Sequence, residues 1–471
     1  MTHPIHEILE ALDNCITVSQ GTVRIMDVMR LREKIGELAR ISATESGQKQ
    51  SLARYLTRSI AIEAGVNLSS IHDLYMARGR GDVPLTFTVP AMNLRVLPFE
   101  AARAVFRVAK KINATAFIFE IARSEIGYTD QRPAEYTTSI LAAAIAEGYK
   151  GPVFLQGDHF QISAKRYAAN SNTEIETLRS LVKEAVAAGF YNIDIDTSTM
   201  VDLSQVTVPA QQLLNADLSS MLTTFIRASQ PQGVTISIGG EIGEVGGHNS
   251  TEEELRAYID GYMSGLNHMI TGLTGLSKVS VQTGTSHGGV VLPDGSIAQV
   301  NVDFETLKKL GQVARSFGMG GAVQHGASTL PEDAFGKFVD AEACEIHLAT
   351  NFMNMFFDFA PADLSRKMYG YIETKHAIDR TPDMTDEQFH YKFRKNALGV
   401  FKKQIWGLSE EFRLELLSKW EAQFEKLFAS LGIANTRPYT DRFIKPVIIA
   451  PDLKYYLGEQ ASVEDVSDLA D

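Results

Sequence analysis

The chain has 471 residues, 44% hydrophobic and 22% charged, the balance of an ordinary globular protein and enough length for a large barrel with added parts. A net charge of -12 speaks against a nucleic-acid surface, which demands clustered Lys and Arg, but leaves room for a phosphorylated metabolite held by a few backbone N–H groups. Two cysteines, Cys15 and Cys344, are too few for a disulfide framework or a cysteine-bound zinc cluster.

The opening MTHPIHEILEALDN lacks the basic start and apolar run of a secretory signal, and no stretch reaches the ~18 apolar residues of a membrane span. The expectation is a soluble cytoplasmic protein. Residues 1–82 read as a helical N-terminal extension, because ILEALDNC, VMRLREKIGELARI and SLARYLTRSIAIEAG carry apolar residues at helical spacing. Gly79 and Gly81 end that region.

From Pro84 the rhythm changes to short apolar strands alternating with amphipathic helices. Strands are predicted at 85–89, 115–121, 152–157, 191–196, 234–241, 278–284, 321–326 and 344–349. Eight β-then-α units over roughly 280 residues predict an α/β fold, a (β/α)8 TIM barrel spanning 83–364. An open doubly wound sheet is the alternative. The barrel is preferred because the polar signatures fall at the C-terminal ends of most strands. Residues 365–471 turn helical and charged again, in FRKNALGVFKKQIWGL and EEFRLELLSKWEAQFEKLFASLG. TRPYTDRFI reads as an extended or turn segment, and the chain closes on an acidic tail, SVEDVSDLAD.

Three histidines sit where strands should end: His159 in VFLQGDHF, His287 in VSVQTGTSHGG and His325 in GAVQHGAS. Three imidazoles with a fourth position open are how a catalytic zinc is held. Asp158 precedes the first, either as a helix N-cap or as a general acid/base beside the metal. Glu241, at the start of EIGEVGGH, is either a solvated turn carboxylate or a further metal contact. Asp194 and Asp196 alternate with isoleucines and so share one face of their strand, with Asp196 the nearer to the loop and the better candidate for lining a site. Glycines after His287 and His325 suit a phosphate, since backbone N–H groups bind one without net positive charge.

These segments resemble, in order, the motifs of class II fructose-bisphosphate and tagatose-bisphosphate aldolases. TVPAMNLRV is similar to their opening around PAFN, GDHF to their Asp-His step, and DIDTST to their IDAS strand. GEIGEVGG resembles ELGxxGG, TGTSHGG resembles GTAHG, VQHGAST resembles LHGAS, and EIHLATN resembles VNVATE. The resemblance covers about residues 84–360. It implies zinc, or another divalent metal, bound by His159, His287 and His325, with Glu241 able to contact a displaced ion. It implies Asp158 as the residue that moves the C4 hydroxyl proton in aldol cleavage. It places Asn93 and Asp196 at the site wall and phosphate contacts at Gly288, Gly326, Ser328 and Thr350. It also implies a sugar-phosphate substrate and a homo-oligomer, a dimer or tetramer.

The departures concern proton transfer. Where the family has a glutamate soon after the loop glycines, this chain has His248-Asn249, and the next carboxylates are Glu252, Glu253 and Glu254. The family asparagine lining the enediolate site is His347, a second candidate catalytic residue. The lysine common after GTAHG is missing from VVLPDGS, and ATE becomes Ala349-Thr350-Asn351. Three readings follow: a zinc-dependent aldolase for a ketose phosphate or bisphosphate, a retro-aldol C4 epimerase using the same metal, and a non-catalytic aldolase companion subunit. An epimerase gains nothing from protonating the carbanion, so it has no need of the missing glutamate.

Overall fold

The computed structural model describes residues 4–19, 21–243, 248–284, 292, 302–328, 330–458 and 469. Eight parallel strands close a barrel: β4 (Val89–Asn93), β5 (Ile118–Ala122), β6 (Gly151–Gln161), β7 (Asn192–Asp196), β8 (Ser237–Glu241), β9 (Lys278–Ser280), β10 (Ala322–Gln324) and β11 (Glu345–Leu348). Each pairs with the next, and β11 returns to β4 through Glu345↔Val89 and His347↔Ala91. Helices such as Pro98–Lys111, Ser171–Ala188 and Val208–Ser229 cover the outside. The strands are buried along nearly their whole length, because helices cover one face and the barrel interior the other.

The first barrel strand lies later than the alternation LTFTV at 85–89 suggests. Only Val89 of that run belongs to it, and the strand continues through Pro90 to Asn93. Alternating β-branched and apolar residues signalled a strand there, while Pro90, the next residue, is of a type that usually ends one. The shift brings Asn93 to the strand's last position, at the barrel mouth.

The N-terminal region is less uniformly helical than its periodicity predicts. β1 (Ile16–Ser19) and β2 (Thr22–Ile25) form an antiparallel hairpin around Gly21, whose φ is +77°. β3 (Val66–Ser69) runs parallel to the first half of β6, through Val66↔Gly151 to Ser69↔Phe154, whereas β7 takes the second half from Gln156. Thus β6 has one partner below and another above on the same edge. Asn192, at the start of β7, stitches the junction: its Oδ1 accepts from Ile71 N–H (2.8 Å) and its Nδ2 donates to the Leu155 carbonyl (2.9 Å).

Beyond the barrel, the helix Glu410–Ser430 lies on Pro98–Lys111, and the wholly buried Trp420 donates its indole N–H to the Phe352 carbonyl (3.1 Å). TRPYTDRFI is not extended: Arg437–Phe443 is a short helix with Pro438 in its first turn, where the missing N–H costs no hydrogen bond. No helix among the described residues is long and apolar enough to cross a membrane. Most of the acidic tail lies outside the described residues.

Candidate active site at the barrel mouth

Two consecutive residues on a regular strand point to opposite faces. Asp158 and His159 nevertheless both reach the same cluster, and the backbone explains how. In the β6–β7 ladder Gly157 pairs with Ile193 and Phe160 with Ile195, so two residues of β6 stand against Asp194 alone. This is a β-bulge, and His159 within it has φ +38°, in the left-handed region that a side chain rarely adopts. Gly157 makes room for the turn, since a Cβ there would lie 2.5 Å from the Phe160 ring. The strained step is held by what it aims at the centre.

Asp158 Oδ2 accepts from Asn93 Nδ2 (2.9 Å), and its Oδ1 lies 3.1 Å from His347 Nδ1. His325 Nδ1 is 4.0 Å from the same oxygen, and Ser280 Oγ meets His325 Nε2 at 2.9 Å. The rings of His159, His325 and His347 stand side by side, with centroids 4.2 and 4.0 Å apart. His159 Nδ1 faces two carboxylates, Asp196 Oδ2 at 3.0 Å and Glu241 Oε2 at 3.3 Å. Asp196 is itself held by Ser198 and Gln161. A cavity of about 30 Å³ opens between Asn93, Arg95, Asp158, His159, His325 and His347, and Gly326, Ser328 and Thr350 complete its wall.

The expected residues therefore meet, with differences of position. Asn93, Gly326, Ser328 and Thr350 line the cavity. Ser328 Oγ accepts from the Ala349 N–H (2.6 Å), which ties the loop after β10 to the start of the helix Thr350–Phe359. Asp196 stands behind His159 rather than on the cavity wall. Asp158 is part of a strand, so the N-cap alternative does not apply. His287 and Gly288 lie outside the described residues. Two of the three carboxylates after the loop, Glu252 and Glu254, are engaged elsewhere, and Glu253 is exposed. Glu254 closes a capping box with Thr251 and meets His248 Nε2 at 2.7 Å, and Glu252 pairs with Arg256 and Lys309.

Of a polar layer inside the barrel, sequence reasoning found only Asp194. Glu120, Gln156, Lys278 and Glu345 are buried with it beneath the histidines. The signal was available: Glu345 and His347 alternate on β11 as Asp194 and Asp196 do on β7, so each pair shares a face. Glu125 was missed as well. It accepts from Asn93 Nδ2 (2.9 Å) and pairs with Arg95, so that both N–H groups of the Asn93 amide end on carboxylates.

Carboxylates outnumber cations here, and the titration behaviour reflects it. Burial, followed by the charge of Asp158, pushes Glu120 up to about 8. Burial and Asp196 push Glu241 up to about 7. Burial opposes ionisation of Asp158, but His159 and His347 outweigh it and hold the carboxyl well below its ordinary range. Burial likewise disfavours the charged form of His159, yet Asp158 and Glu241 hold its imidazolium well above the usual value. A site that gathers protons onto imidazoles is one that a divalent cation can neutralise instead. The donor set fits such an ion: ligand atoms of His159, Glu241 and His325 lie within 4.8 Å of one another, and imidazole with carboxylate suits divalent first-row metals.

The model of the protein family described as Fructose-bisphosphate aldolase class-II matches residues 85–399. No curated protein matches the chain. Among solved structures, the chain is similar to a probable tagatose 6 phosphate kinase from Sinorhizobium meliloti 1021, at 13% identity and a TM-score of 0.52, covering 75% of this chain and 99% of that one. It is also similar to the fructose-bisphosphate aldolase of Campylobacter jejuni, at 17% identity and a TM-score of 0.45, covering 78% of this chain and 94% of that one. A third is the fructuronate-tagaturonate epimerase of Cohnella laeviribosi, at 12% identity and a TM-score of 0.49, covering 92% of this chain and 90% of that one. The first of these likenesses bears on the fold alone.

Proposed function

The chain belongs to the class-II fructose-bisphosphate aldolase family, and on that premise we propose that it is a zinc-dependent enzyme that reversibly cleaves a ketose phosphate or bisphosphate by aldol chemistry. The observation that carries this reading is Asp158: a buried carboxylate held between Asn93 and His347, beside His159 and His325, at the edge of the cavity.

His159, His287 and His325 are the proposed metal ligands, with Glu241 in reserve. The ion supplies a Lewis-acid pull on the ketose carbonyl when bound. The residues do the rest. Asp158 takes the proton from the C4 hydroxyl as the C3–C4 bond breaks, so that C4 leaves as an aldehyde and the bonding electrons pass toward the C2 carbonyl. Asn93 fixes the carboxylate's direction. His347 balances its charge before the reaction and holds its proton-bearing form in place afterwards. Asp196 orients the His159 ring. Gly288, Gly326, Ser328 and Thr350 hold phosphate, which anchors the substrate away from the bond that breaks.

A second reading is favoured by one feature. His347 stands in the asparagine position of the family pattern and touches Asp158, while Glu252 and Glu254 are committed to ion pairs and a helix cap. Where Glu253, the remaining carboxylate of that stretch, does not protonate the carbanion, the aldehyde fragment can turn and rejoin, which makes a retro-aldol C4 epimerase. Proton NMR of the zinc-loaded protein with fructose 1,6-bisphosphate, tagatose 1,6-bisphosphate and the two 6-phosphates separates the two. Free triose fragments support the aldolase. A C4 epimer accumulating without trioses supports the epimerase. No turnover, together with no bound metal, would leave the companion-subunit reading.

A further inference from the structure

The helix His72–Gly79, from the region read as an extension, crosses the closed end of the barrel. The helix and the residue before it touch the first residue of β7 and residues that precede three other strands. Ile71 N–H donates to Asn192, and Arg78 donates to the carbonyls of Phe87 (3.0 Å) and Ala343 (3.1 Å). Gly320 admits the helix, since a Cβ there would lie 2.9 Å from that of Tyr75.

From this helix Tyr75 extends into the barrel, fully buried, and its hydroxyl donates to Glu345 Oε2. The other oxygen, Glu345 Oε1, accepts from Lys278 Nζ and from Gln156 Nε2 (2.9 Å), and lies 2.7 Å from His347 Nε2. Lys278 uses its three N–H groups on Glu345, Asp194 (2.9 Å) and Gln156 Oε1 (2.8 Å). Space for this buried ammonium exists because residue 239 is glycine, where a Cβ would lie 2.4 Å from Asp194 Oδ1 and 2.9 Å from Lys278 Cε. At the far end of the imidazole, Nδ1 faces Asp158 Oδ1 and Glu120 Oε1, each at 3.1 Å.

We propose that Tyr75, Lys278 and Glu345 are positioning residues for His347. Through them the N-terminal helix sets the group that contacts Asp158. The argument is one of saturation. Glu345 presents one oxygen to His347 only while Tyr75 restrains the other and Lys278 fixes the carboxylate's pivot. A ring held at Nε2 turns Nδ1 toward two carboxylates, Asp158 and Glu120, and of these Asp158 is the one that lines the cavity. A barrel filled only for stability has no need of a polar chain that ends on the reacting side.

The proposal rests on the reading of Asp158 as the acid/base, and its test separates the two. Tyr75→Phe removes one oxygen and keeps the packing. In the zinc-loaded protein it should lower kcat about tenfold while KM and metal content stay within about twofold. In a His347→Asn background the same change should have almost no further effect, because the oriented group is gone. Glu345→Gln, which preserves shape, should show the same dependence on His347. Equal losses in both backgrounds overturn the proposal, as does full activity of Tyr75→Phe. A readout independent of turnover is the ¹⁵N signal of the His347 ring in histidine-labelled protein, assigned by its loss in His347→Asn. Tyr75→Phe should shift it, and an unmoved signal overturns the proposal even if all four sugar phosphates prove not to be substrates.

Discussion

His347 and Asp158, 189 residues apart in sequence, meet across the barrel with Nδ1 and Oδ1 separated by 3.1 Å. The first belongs to β11 and the second to the bulge of β6, so the contact depends on barrel closure and on a local irregularity together. It links the residue proposed to move the proton to the residue by which this chain departs from its family's pattern.

That link is the proposed determinant of the product. If His347 decides whether the fragments separate or rejoin, His347→Asn should raise the ratio of cleavage to C4 epimerisation. Product analysis by NMR checks this, and an unchanged ratio removes His347 as the determinant.

Asp158 should be separable from the metal. Asp158→Ala deletes the carboxylate and leaves His159 and His325, so the protein should keep its zinc and lose about 10²–10⁴ in kcat. Metal analysis beside steady-state kinetics tests both halves. Activity near wild type would take Asp158 out of the mechanism.

Asp196 should be read through metal affinity. Its Oδ2 lies 3.0 Å from His159 Nδ1, and outer carboxylates of this kind are worth about 10–100-fold in metal affinity. Asp196→Asn should therefore weaken zinc by that order in a chelator competition. Dialysis against EDTA should abolish turnover, and added zinc should restore it. Unchanged affinity in the variant would show that Asp196 serves the fold only.

His72 gives a prediction about pH and stability. Burial, with Arg227 nearby, pushes this imidazole down to about 4. The unfolded chain, with a histidine near the ordinary 6.5, then binds a proton between those values that the folded chain does not. The stability this histidine allows is complete above 6.5 and is lost as pH falls through 6.5 toward 4, by about 3 kcal/mol. Urea denaturation of the wild type and His72→Leu at pH 7.5 and 4.5 should show the wild type losing more on acidification. Parallel losses would mean that His72 is not the source.

Much of the site was legible because polar residues at the ends of apolar runs are conspicuous, and a barrel sends all such ends to one mouth. Asp158, His159 and His325 were found that way, and Asn93 through the family resemblance. The bulge was not legible. Period-two reasoning sends Asp158 and His159 to opposite faces, and only the extra residue in the pairing with β7 reconciles them. Lys278, Glu120 and Glu345 escaped for another reason. A charge in a three- to five-residue strand reads as the solvent side of a sheet unless the strand is known to curl around an interior. Tyr75 offered no signal, because an aromatic on an amphipathic helix is indistinguishable from ordinary core.

The two-partner edge of β6 limits how this protein can be dissected or transplanted. The matched family segment begins at residue 85, whereas β3, which covers Gly151–Phe154, ends at Ser69. A protein trimmed to the family segment would expose a row of unpaired strand N–H and C=O groups at the base of β6, a ready template for pairing with a second molecule. Such a fragment should associate or precipitate, and adding residues 66–79 back as a separate peptide should suppress this by supplying the missing edge.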